Sequence, residues 1–226
     1  MNITVITLFP TMFDSPFASS IISRAIKKKI VTIHYVNIRD FASDSYKTVD
    51  DRPYGGGGGM IMKVDVADRA IQYAKSLYPD HNPYVVLLDP QGKQYKQTEA
   101  KILSEKEHLI FFCGHYEGVD ERIRTLVDTQ FSIGDYILTG GEIPAMVLID
   151  SIVRLIPNVL GKQESLKNES FSNPNLLEGS QYTNPQSYLN MDVPLVLLSG
   201  NHKKIKEWKK KEAINATKLR RPDMVK

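Results

Sequence analysis

The first two thirds of the chain alternate short apolar runs with segments of helical periodicity. Residues 3–8, 31–38, 84–88 and 109–113 are rich in β-branched and aromatic side chains, which predicts strands. Helical patterns cover residues 20–30, 64–77, 98–107 and 119–127. Because strands and helices alternate, we predict an α/β fold with a mostly parallel sheet.

Three apolar segments run into glycine-containing turns. Residues 84–88 lead into 89–93 (DPQGK), residues 109–113 lead into 114–118 (GHYEG), and the stretch 132–142 (SIGDYILTGGE) precedes a helix predicted from 145 to 156, opened by Pro144 and ended by Pro157. Ligands of parallel sheets bind where the carboxyl ends of the strands meet. We therefore predict one site shared by the three turns; the alternative is a set of tight strand–helix connections.

Five consecutive glycines occupy positions 55–59, between Tyr54 and Met60. Such a run cannot hold its own shape, so it serves either as a linker or as a loop whose backbone closely approaches another group. The run is short and has charged and aromatic neighbours, which favours a functional loop.

Composition places the chain among soluble globular proteins. Hydrophobic residues make up 42% and charged residues 24% of its 226 positions, and no apolar run approaches the ~20 residues that span a bilayer. The first residues lack the basic segment and apolar core of a signal peptide, so we expect a cytoplasmic protein. The single cysteine, Cys113, excludes an intrachain disulfide framework and a CxxC metal site, and its apolar surroundings predict a buried thiol.

Common catalytic and nucleotide-binding fingerprints are absent. The sequence contains no GxGxxG after a strand, no GxxxxGK[ST], no HExxH and no GxSxG. Its five histidines show no metal-ligand spacing. The predicted cleft is therefore neither a Rossmann nor a P-loop site.

The character of the chain changes after Pro157. Residues 161–174 are polar and predict a flexible connector between a first domain, 1–160, and a small second domain, 175–226. In the second domain, residues 193–198 resemble a strand and residues 201–211 a helix with Ile205 and Trp208 on one face.

Basic residues crowd this last helix and the segment after it. They are Lys203, Lys204, Lys206, Lys209, Lys210, Lys211, Lys218, Arg220 and Arg221, in a chain whose net charge is only +3. We interpret the cluster as a phosphate-binding surface for nucleic acid; the alternative is a solvated helix face.

Several blocks together carry a family resemblance. They are 52–60 (RPYGGGGGM), 89–92 (DPQG), 114–122 (GHYEGVDER), 132–144 (SIGDYILTGGEIP), 149–151 (IDS), 154–157 (RLIP), 197–202 (LLSGNH) and 220–222 (RRP). In this order they resemble the bacterial tRNA (guanine-N1)-methyltransferases, which modify guanosine at tRNA position 37, next to the anticodon.

The resemblance implies a SPOUT-type α/β fold whose parallel sheet contains a deep trefoil knot, followed by a small, mostly helical tRNA-binding domain. It also implies a homodimer with active sites shared between subunits, S-adenosyl-L-methionine bound in the knot, and Mg²⁺ as an additional cofactor. The implied cofactor-binding residues are Leu87, Leu88, Pro90, Gly114, Tyr116, Glu117, Ser132, Ile133, Gly134, Asp135, Tyr136, Ile137, Leu138, Gly140, Gly141 and Pro144.

Methylation at N1 of guanine requires a base, because this nitrogen carries a proton at neutral pH, and a donor or cation for the charge developing on O6. The family uses an aspartate as the base, and Glu169 stands at that position here. Arg154 corresponds to the arginine that steadies the guanine. The alternative interpretation of Glu169 is a solvated glutamate in the connector, and that of Arg154 is an ion pair with Asp150 on the helix surface.

Two further expectations concern RNA and cofactor contacts. Asn184 replaces an arginine of many relatives, and we expect altered RNA contacts there. Asp50, Arg52 and Tyr54 are expected to serve the loop over the cofactor or RNA.

Two rival functions remain at this point. A non-catalytic RNA-binding protein with the same fold would share the basic tail but has no need for the cofactor turns. A related SPOUT methyltransferase acting on ribose or ribosomal RNA would not need the carboxylate of Glu169 or the block at 52–60.

Overall fold

A computed structural model describes residues 1–161 and 168–225. The chain forms two compact units, Met1–Gly161 and Lys162–Lys226, which are treated separately below. Part of the predicted connector, 162–167, lies outside the described residues, and the flexibility of that connector stays a prediction. Among the helices of the described ranges, none is both long enough and apolar enough to cross a membrane.

Strands and helices alternate through the first unit, and both occur in the second. The strands are β1 Asn2–Thr7, β2 Thr32–Asn37, β3 Asp50–Asp51, β4 Ile61–Met62, β5 Pro83–Gln94, β6 His108–Cys113, β7 Thr129–Ser132, β8 Ser187–Tyr188 and β9 Met191–Asp192. The α-helices are α1 Asp14–Phe17, α2 Ser20–Lys27, α3 Val64–Ser76, α4 Gln97–Ser104, α5 Glu142–Val153, α6 Leu195–Leu198 and α7 His202–Arg220. Short 3₁₀ helices occupy Pro10–Phe13, Ile38–Phe41, Glu121–Leu126 and Pro222–Met224.

A five-stranded sheet in the order β2-β1-β6-β5-β7 forms the centre of the first unit, and every neighbouring pair is parallel. The predicted parallel α/β sheet is therefore confirmed. All six residues of the central strand β6 are buried because side chains alternate between two covered faces. Leu109 and Phe111 pack with Leu148 of α5 on one face, whereas Ile110 and Phe112 pack with α3 on the other.

Strand β5 is longer than predicted, and the expected turn at 89–93 lies within it. Its pairing with β7 shifts register between Leu88 and Lys93, so the strand bends there without ending. A Cβ atom on Gly92 would stand 2.6 Å from the backbone nitrogen of Phe131. The glycine therefore allows β5 to approach β7 closely at this bend. From the sequence alone, Gly92 predicted only a turn.

Other helix predictions need smaller corrections. The segment predicted as a helix at 119–127 is the 3₁₀ helix Glu121–Leu126, begun by Asp120, whose side chain accepts a hydrogen bond from the Arg122 nitrogen. Helix α5 starts at Glu142 rather than after Pro144, since proline in the first turn has no intrahelical N–H bond to lose. Helices α2, α4 and α5 end three residues earlier than predicted.

In the second unit, the strand predicted at 193–198 is wrong. Leu195–Leu198 forms the short helix α6 directly after Pro194, because a brief apolar run fits either structure and proline favours a helix start. Helix α7 extends to Arg220, well beyond the predicted end, and Asn201 caps it by accepting a hydrogen bond from the Lys204 nitrogen.

Candidate active site

The three glycine-containing segments surround one cavity of about 300 Å³ in the first unit. Its walls come from the bend of β5, the turn after β6, and the segment between β7 and α5. These are the carboxyl ends of neighbouring parallel strands, where ligands of such sheets bind. The three segments thus contribute to a single concave surface.

Glycine allows two of these segments to meet backbone to backbone. The Gly141 nitrogen donates a hydrogen bond of 2.7 Å to the Gly114 carbonyl oxygen, and His115 pairs with Gly140 as an isolated antiparallel bridge. A Cβ atom on Gly141 would stand 2.7 Å from the Cα atom of Cys113. Only a residue without a side chain fits there, so the start of α5 is held directly against the end of β6.

The five-glycine run lies next to residues that line the same cavity. Strands β3 and β4 pair in antiparallel fashion and carry residues 52–60 between them. The Glu117 nitrogen donates to the Met60 carbonyl oxygen at 3.0 Å, and the Met62 nitrogen donates to the Gly118 carbonyl oxygen at 3.0 Å. Since Glu117 and Gly118 line the cavity, the run is a loop of the candidate site rather than a linker between units.

One carboxylate in the wall is neutralised by an arginine. Asp89 is 9% exposed and accepts a hydrogen bond of 3.2 Å from Nη2 of Arg124. The Gln91 nitrogen donates to the other carboxylate oxygen of Asp89 at 2.7 Å. Arg124 also contacts Glu121 and Gln130, which fix its direction. Asp89 therefore contributes little net charge to the cavity.

A second buried carboxylate, Glu142, lies beneath the cavity. Its exposure is 2%, and Oε1 accepts a hydrogen bond of 2.8 Å from the Thr7 hydroxyl. Oε2 lies 3.9 Å from Nδ1 of His115. Burial, reinforced by the negative charge of Glu142, raises the pKa of the Cys113 thiol and keeps this cysteine protonated.

Tyr116 joins the cavity to strand β3. Its backbone has φ +62°, a left-handed conformation that few non-glycine residues adopt, and it lines the cavity. Burial and interaction with the carboxylate of Asp50 raise its pKa, while Arg39 acts in the opposite direction. Asp50 is thus close to the site, whereas Arg52 and Tyr54 are exposed on the loop.

All sequence-predicted cofactor residues except Leu87 and Asp135 line this cavity. Leu87 is fully buried in the core on the α3 side of the sheet, because it alternates with Leu88 along β5. Asp135 is exposed in the segment between β7 and α5. Cofactor binding by the whole set stays a prediction.

The cavity also includes residues that were absent from the predicted set. They are Asp89, His115, Gly118, Val119, Phe131 and Thr139. All except Val119 and Phe131 belong to the three glycine-containing segments. The position of each segment after an apolar run could therefore have identified them as residues of the site. Nothing in the local sequence marks Phe131 as a wall residue.

Arg154 and Glu169, the predicted catalytic pair, belong to different units. Arg154 follows the last residue of α5, is half-buried, and its nitrogen donates to the Asp150 carbonyl oxygen at 3.2 Å. Glu169 is half-buried and lines a second cavity of about 820 Å³ formed by residues 168–181 and α7. Two hydrogen bonds donated by backbone nitrogens connect this segment: the Ser172 nitrogen donates to the Glu169 carbonyl oxygen, and the Glu178 nitrogen donates to the Ser170 hydroxyl, both at 3.0 Å.

The walls of this second cavity are rich in charge. Lys206, Lys209 and Lys210 of α7 line it together with Glu169 and Glu178. Helix α7 is attached to the preceding segment through Thr217, whose buried hydroxyl accepts a hydrogen bond of 2.9 Å from the Leu177 nitrogen. The second unit therefore holds the candidate base and part of the basic cluster in one small structure.

Comparison with known proteins covers the full chain. Residues 1–226 match the family model described as tRNA (Guanine-1)-methyltransferase TrmD. A tRNA (guanine-N(1)-)-methyltransferase of Carboxydothermus hydrogenoformans is 53% identical over 227 residues, which cover 100% of this chain and 88% of the relative. Proteins of the same name are 50% identical in Enterococcus faecalis, with 91% of the relative covered, and in Clostridioides difficile, with 98% covered; each alignment spans 100% of this chain. The chain therefore belongs to the tRNA (guanine-1)-methyltransferase family.

Proposed function

We propose that the protein transfers a methyl group from S-adenosylmethionine to N1 of guanosine at position 37 of tRNA, beside the anticodon. Membership of the methyltransferase family over residues 1–226 is the observation that carries this proposal. A non-catalytic RNA-binding protein is not favoured, because such a protein has no need for a cavity built from these three glycine-containing segments. A tRNA substrate is consistent with a cytoplasmic location.

The first-unit cavity fits the cofactor in size and chemistry. Its volume of about 300 Å³ is within the range of small-molecule sites. Ile133, Leu138 and Pro144 provide apolar wall for an adenine ring, while Gly114 and Gly140 allow close approach of the backbone to polar ligand atoms. Within residues 1–161, no lysine or arginine lines the cavity, which suits a cationic ligand. When bound, the cofactor supplies a methyl group already activated on a sulfonium.

Glu169 is the proposed general base. A carboxylate oxygen of Glu169 takes the proton from N1 of guanine as N1 forms its bond to the methyl carbon and the bond from that carbon to sulfur breaks. Arg154 donates hydrogen bonds to O6, where negative charge develops as N1 loses its proton. Glutamate supplies the same carboxylate as the family's aspartate on a side chain longer by one methylene group.

The proposed active form is a homodimer whose active sites use both subunits. Support comes from an exposed apolar surface on the first unit: Ile143 and Val147, one turn apart on α5, are 45% and 44% exposed. Phe9 and Met12 are similarly exposed, and the segment Pro10–Phe13 packs against α5.

We also propose the SPOUT-type trefoil knot for this unit. Mg²⁺ stays a prediction; across 1–161 and 168–225, no group of three or more His, Cys, Asp or Glu side chains could hold a metal.

The second unit is the proposed tRNA-binding domain. Helix α7 carries lysines along most of its exposed surface, and several of them line the cavity that contains Glu169. Phosphate binding by these lysines would bring the RNA backbone to the unit that carries the base. Asn184, where we expect weaker or rearranged RNA contacts, belongs to the same unit.

The test uses purified protein, S-adenosylmethionine and two tRNA transcripts. One carries guanosine at position 37 preceded by guanosine, and the other carries adenosine at position 37. Mass spectrometry of the digested RNA locates the methyl group. We expect N1-methylguanosine in the first transcript only. Methylation at another position or on ribose would overturn the proposed substrate, and tight tRNA binding without methylation would favour the RNA-binding alternative.

A further inference from the structure

We infer that the buried carboxylate of Glu142 makes the cofactor cavity selective for the cationic methyl donor over its neutral thioether product. The inference rests on the proposed function, since it concerns S-adenosylmethionine and S-adenosylhomocysteine. These two molecules differ by one methyl group and by the positive charge on sulfur. A site that separates them must therefore respond to charge as well as to shape.

Glu142 lies directly behind the cavity wall. Its side chain is 3% exposed, and a Cβ atom placed on Gly140 would stand 2.4 Å from Oε2 of Glu142. Gly140 itself lines the cavity. The missing side chain at this position thus lets the carboxylate lie directly against a residue that lines the cavity.

The negative charge of Glu142 has no strong counter-charge of its own. Thr7 supplies a neutral hydroxyl to Oε1, and the nearest basic nitrogen is Nδ1 of His115, 3.9 Å from Oε2 and outside hydrogen-bonding range. In the fully described range 1–161, no lysine or arginine forms an ion pair with Glu142. The nearby carboxylate of Asp89, in contrast, has Arg124 as its partner.

His115 supports this reading from the cavity side. It lines the cavity, and its buried Nδ1 atom has no hydrogen-bond partner in the part of the chain that is described. The rings of Phe9 and Tyr116 meet the imidazole edge-on, with centroids 5.2 and 5.1 Å away. These rings pack against the imidazole and restrict its position next to the carboxylate.

A buried charge acts strongly on its surroundings because little solvent screens it. A cation in the cavity would supply the counter-charge that the fold does not provide to Glu142. Loss of the methyl group removes that cation and leaves the carboxylate unpaired again. The same carboxylate therefore favours binding of the donor and release of the product.

The test is isothermal titration calorimetry of the purified protein with S-adenosylmethionine, S-adenosylhomocysteine and sinefungin, an analogue with an amine-bearing carbon in place of the sulfonium. Wild-type protein is expected to bind both cationic ligands more tightly than the neutral thioether. Glu142→Gln should weaken binding of both cations about tenfold or more, the scale of a single poorly screened charge pair. Its affinity for the thioether should stay within about twofold.

Two matched variants separate charge from structure. Glu142→Asp keeps the negative charge and should keep the preference for cations. Thr7→Val removes the hydrogen bond and keeps the carboxylate, so it should also retain the preference. Thermal unfolding of each variant shows whether it is folded. If Glu142→Gln does not fold, the inference is tested by the ratio of cation affinity to thioether affinity in the wild-type protein, Glu142→Asp and Thr7→Val.

Several results would overturn the inference. The inference is wrong if the wild-type protein binds sinefungin and the thioether with equal affinity. It is also wrong if Glu142→Gln loses affinity for all three ligands to the same extent. A Glu142→Gln protein with unchanged affinities would show that the carboxylate has no electrostatic effect on the site. Failure of the folded wild-type protein to bind any of the three would instead refute the proposed cofactor.

Discussion

A Cβ atom on Gly59 would stand 2.2 Å from the Cγ atom of Glu117, closer than any real contact allows. The last glycine of the five-glycine run therefore lies against a side chain that lines the first-unit cavity. Its backbone also has φ +80°, where residues with a side chain are strained. Glycine is therefore required at position 59 for two reasons: the positive φ of its backbone and its close contact with Glu117 in the cavity wall.

Gly59→Ala should weaken S-adenosylmethionine binding about tenfold or more, because the new methyl group displaces Glu117 and strains the loop. Calorimetric titration measures the effect. Gly56→Ala is the control for strain alone, since φ is +86° there and the space is open. Gly58→Ala, which meets neither obstacle, should bind like wild type. Equal losses in Gly59→Ala and Gly56→Ala would show that contact with Glu117 is unimportant.

Gly141→Ala tests the junction of β6 and α5. The added methyl group would meet the Cα atom of Cys113 at 2.7 Å and the nitrogen of Gly114 at 2.8 Å, and backbone atoms cannot move aside as a side chain can. We expect a loss of about 3 kcal/mol in the free energy of unfolding, at the upper end of overpacking effects. Urea denaturation measures it. Gly161→Ala, which meets no atom within 4 Å, is the control and should change little.

Glu169→Gln should lower the single-turnover rate of methyl transfer about 10²- to 10⁴-fold, the usual contribution of a general base. The amide is close in shape to the carboxylate but cannot accept the N1 proton. Rapid-quench measurements with saturating tRNA report the rate, and Glu169→Asp should restore most of it. If Gln were tolerated with a near-normal rate, Glu169 would not be the base and another carboxylate would have to be sought.

The first unit shows how much of a site can be predicted from local patterns. The apolar runs before Gly92, Gly114 and Gly134 predicted parallel strands with adjacent carboxyl ends. In the structure, residues of all three segments line one cavity, although the segment that contains Gly92 continues strand β5 and is not a turn. Glu142 could not be recognised in this way. Its partner Thr7 is 135 positions away, and an acidic residue in the first turn of a helix ordinarily indicates nothing more than a favourable dipole interaction.

The wrong predictions arose where the local sequence fits more than one structure. The apolar residues 195–198 are too few to distinguish a strand from a helix by periodicity, and the helix observed there begins directly after Pro194. The bend in β5 depends on the approach of Phe131 from another strand, which no pattern around Gly92 reveals. Residue types thus predicted where turns occur, while contacts between distant segments decided their shape.

The basic cluster of α7 predicts a strong salt dependence of tRNA binding. Replacing Lys206, Lys209 and Lys210 together by alanine removes three of the lysines in the second-unit cavity. The slope of log K against log salt concentration should become shallower by about 2 to 3, as expected for three lost phosphate contacts. Filter binding at several salt concentrations measures the slope. The triple alanine replacement of Lys27, Lys28 and Lys29 in the first unit is the charge-matched control; an equal change there would mean that the effect is due to net charge alone.

His108 predicts how the stability of the first unit depends on pH. The side chain is fully buried at the start of β6, Nε2 lies 2.9 Å from the Thr4 hydroxyl, and Nδ1 has no hydrogen-bond partner among the described residues. Burial, together with the charge of His81, lowers the pKa of His108 from 6.5 to about 4. The ring of Tyr78 meets the imidazole edge-on at 4.9 Å and provides no acceptor for a second proton.

The unfolded chain therefore binds a proton at His108 below pH 6.5, whereas the folded chain binds it only near pH 4. Acidification through this window favours unfolding by up to about 3 kcal/mol, and no further loss from this residue follows below it. His108→Gln, which can still bond to Thr4, should flatten the dependence measured by urea denaturation between pH 7 and 4.5. His34→Gln, at an exposed position on β2, should retain the wild-type dependence. If wild type and His108→Gln lose the same free energy of unfolding between pH 7 and 4.5, groups other than His108 cause the acid sensitivity.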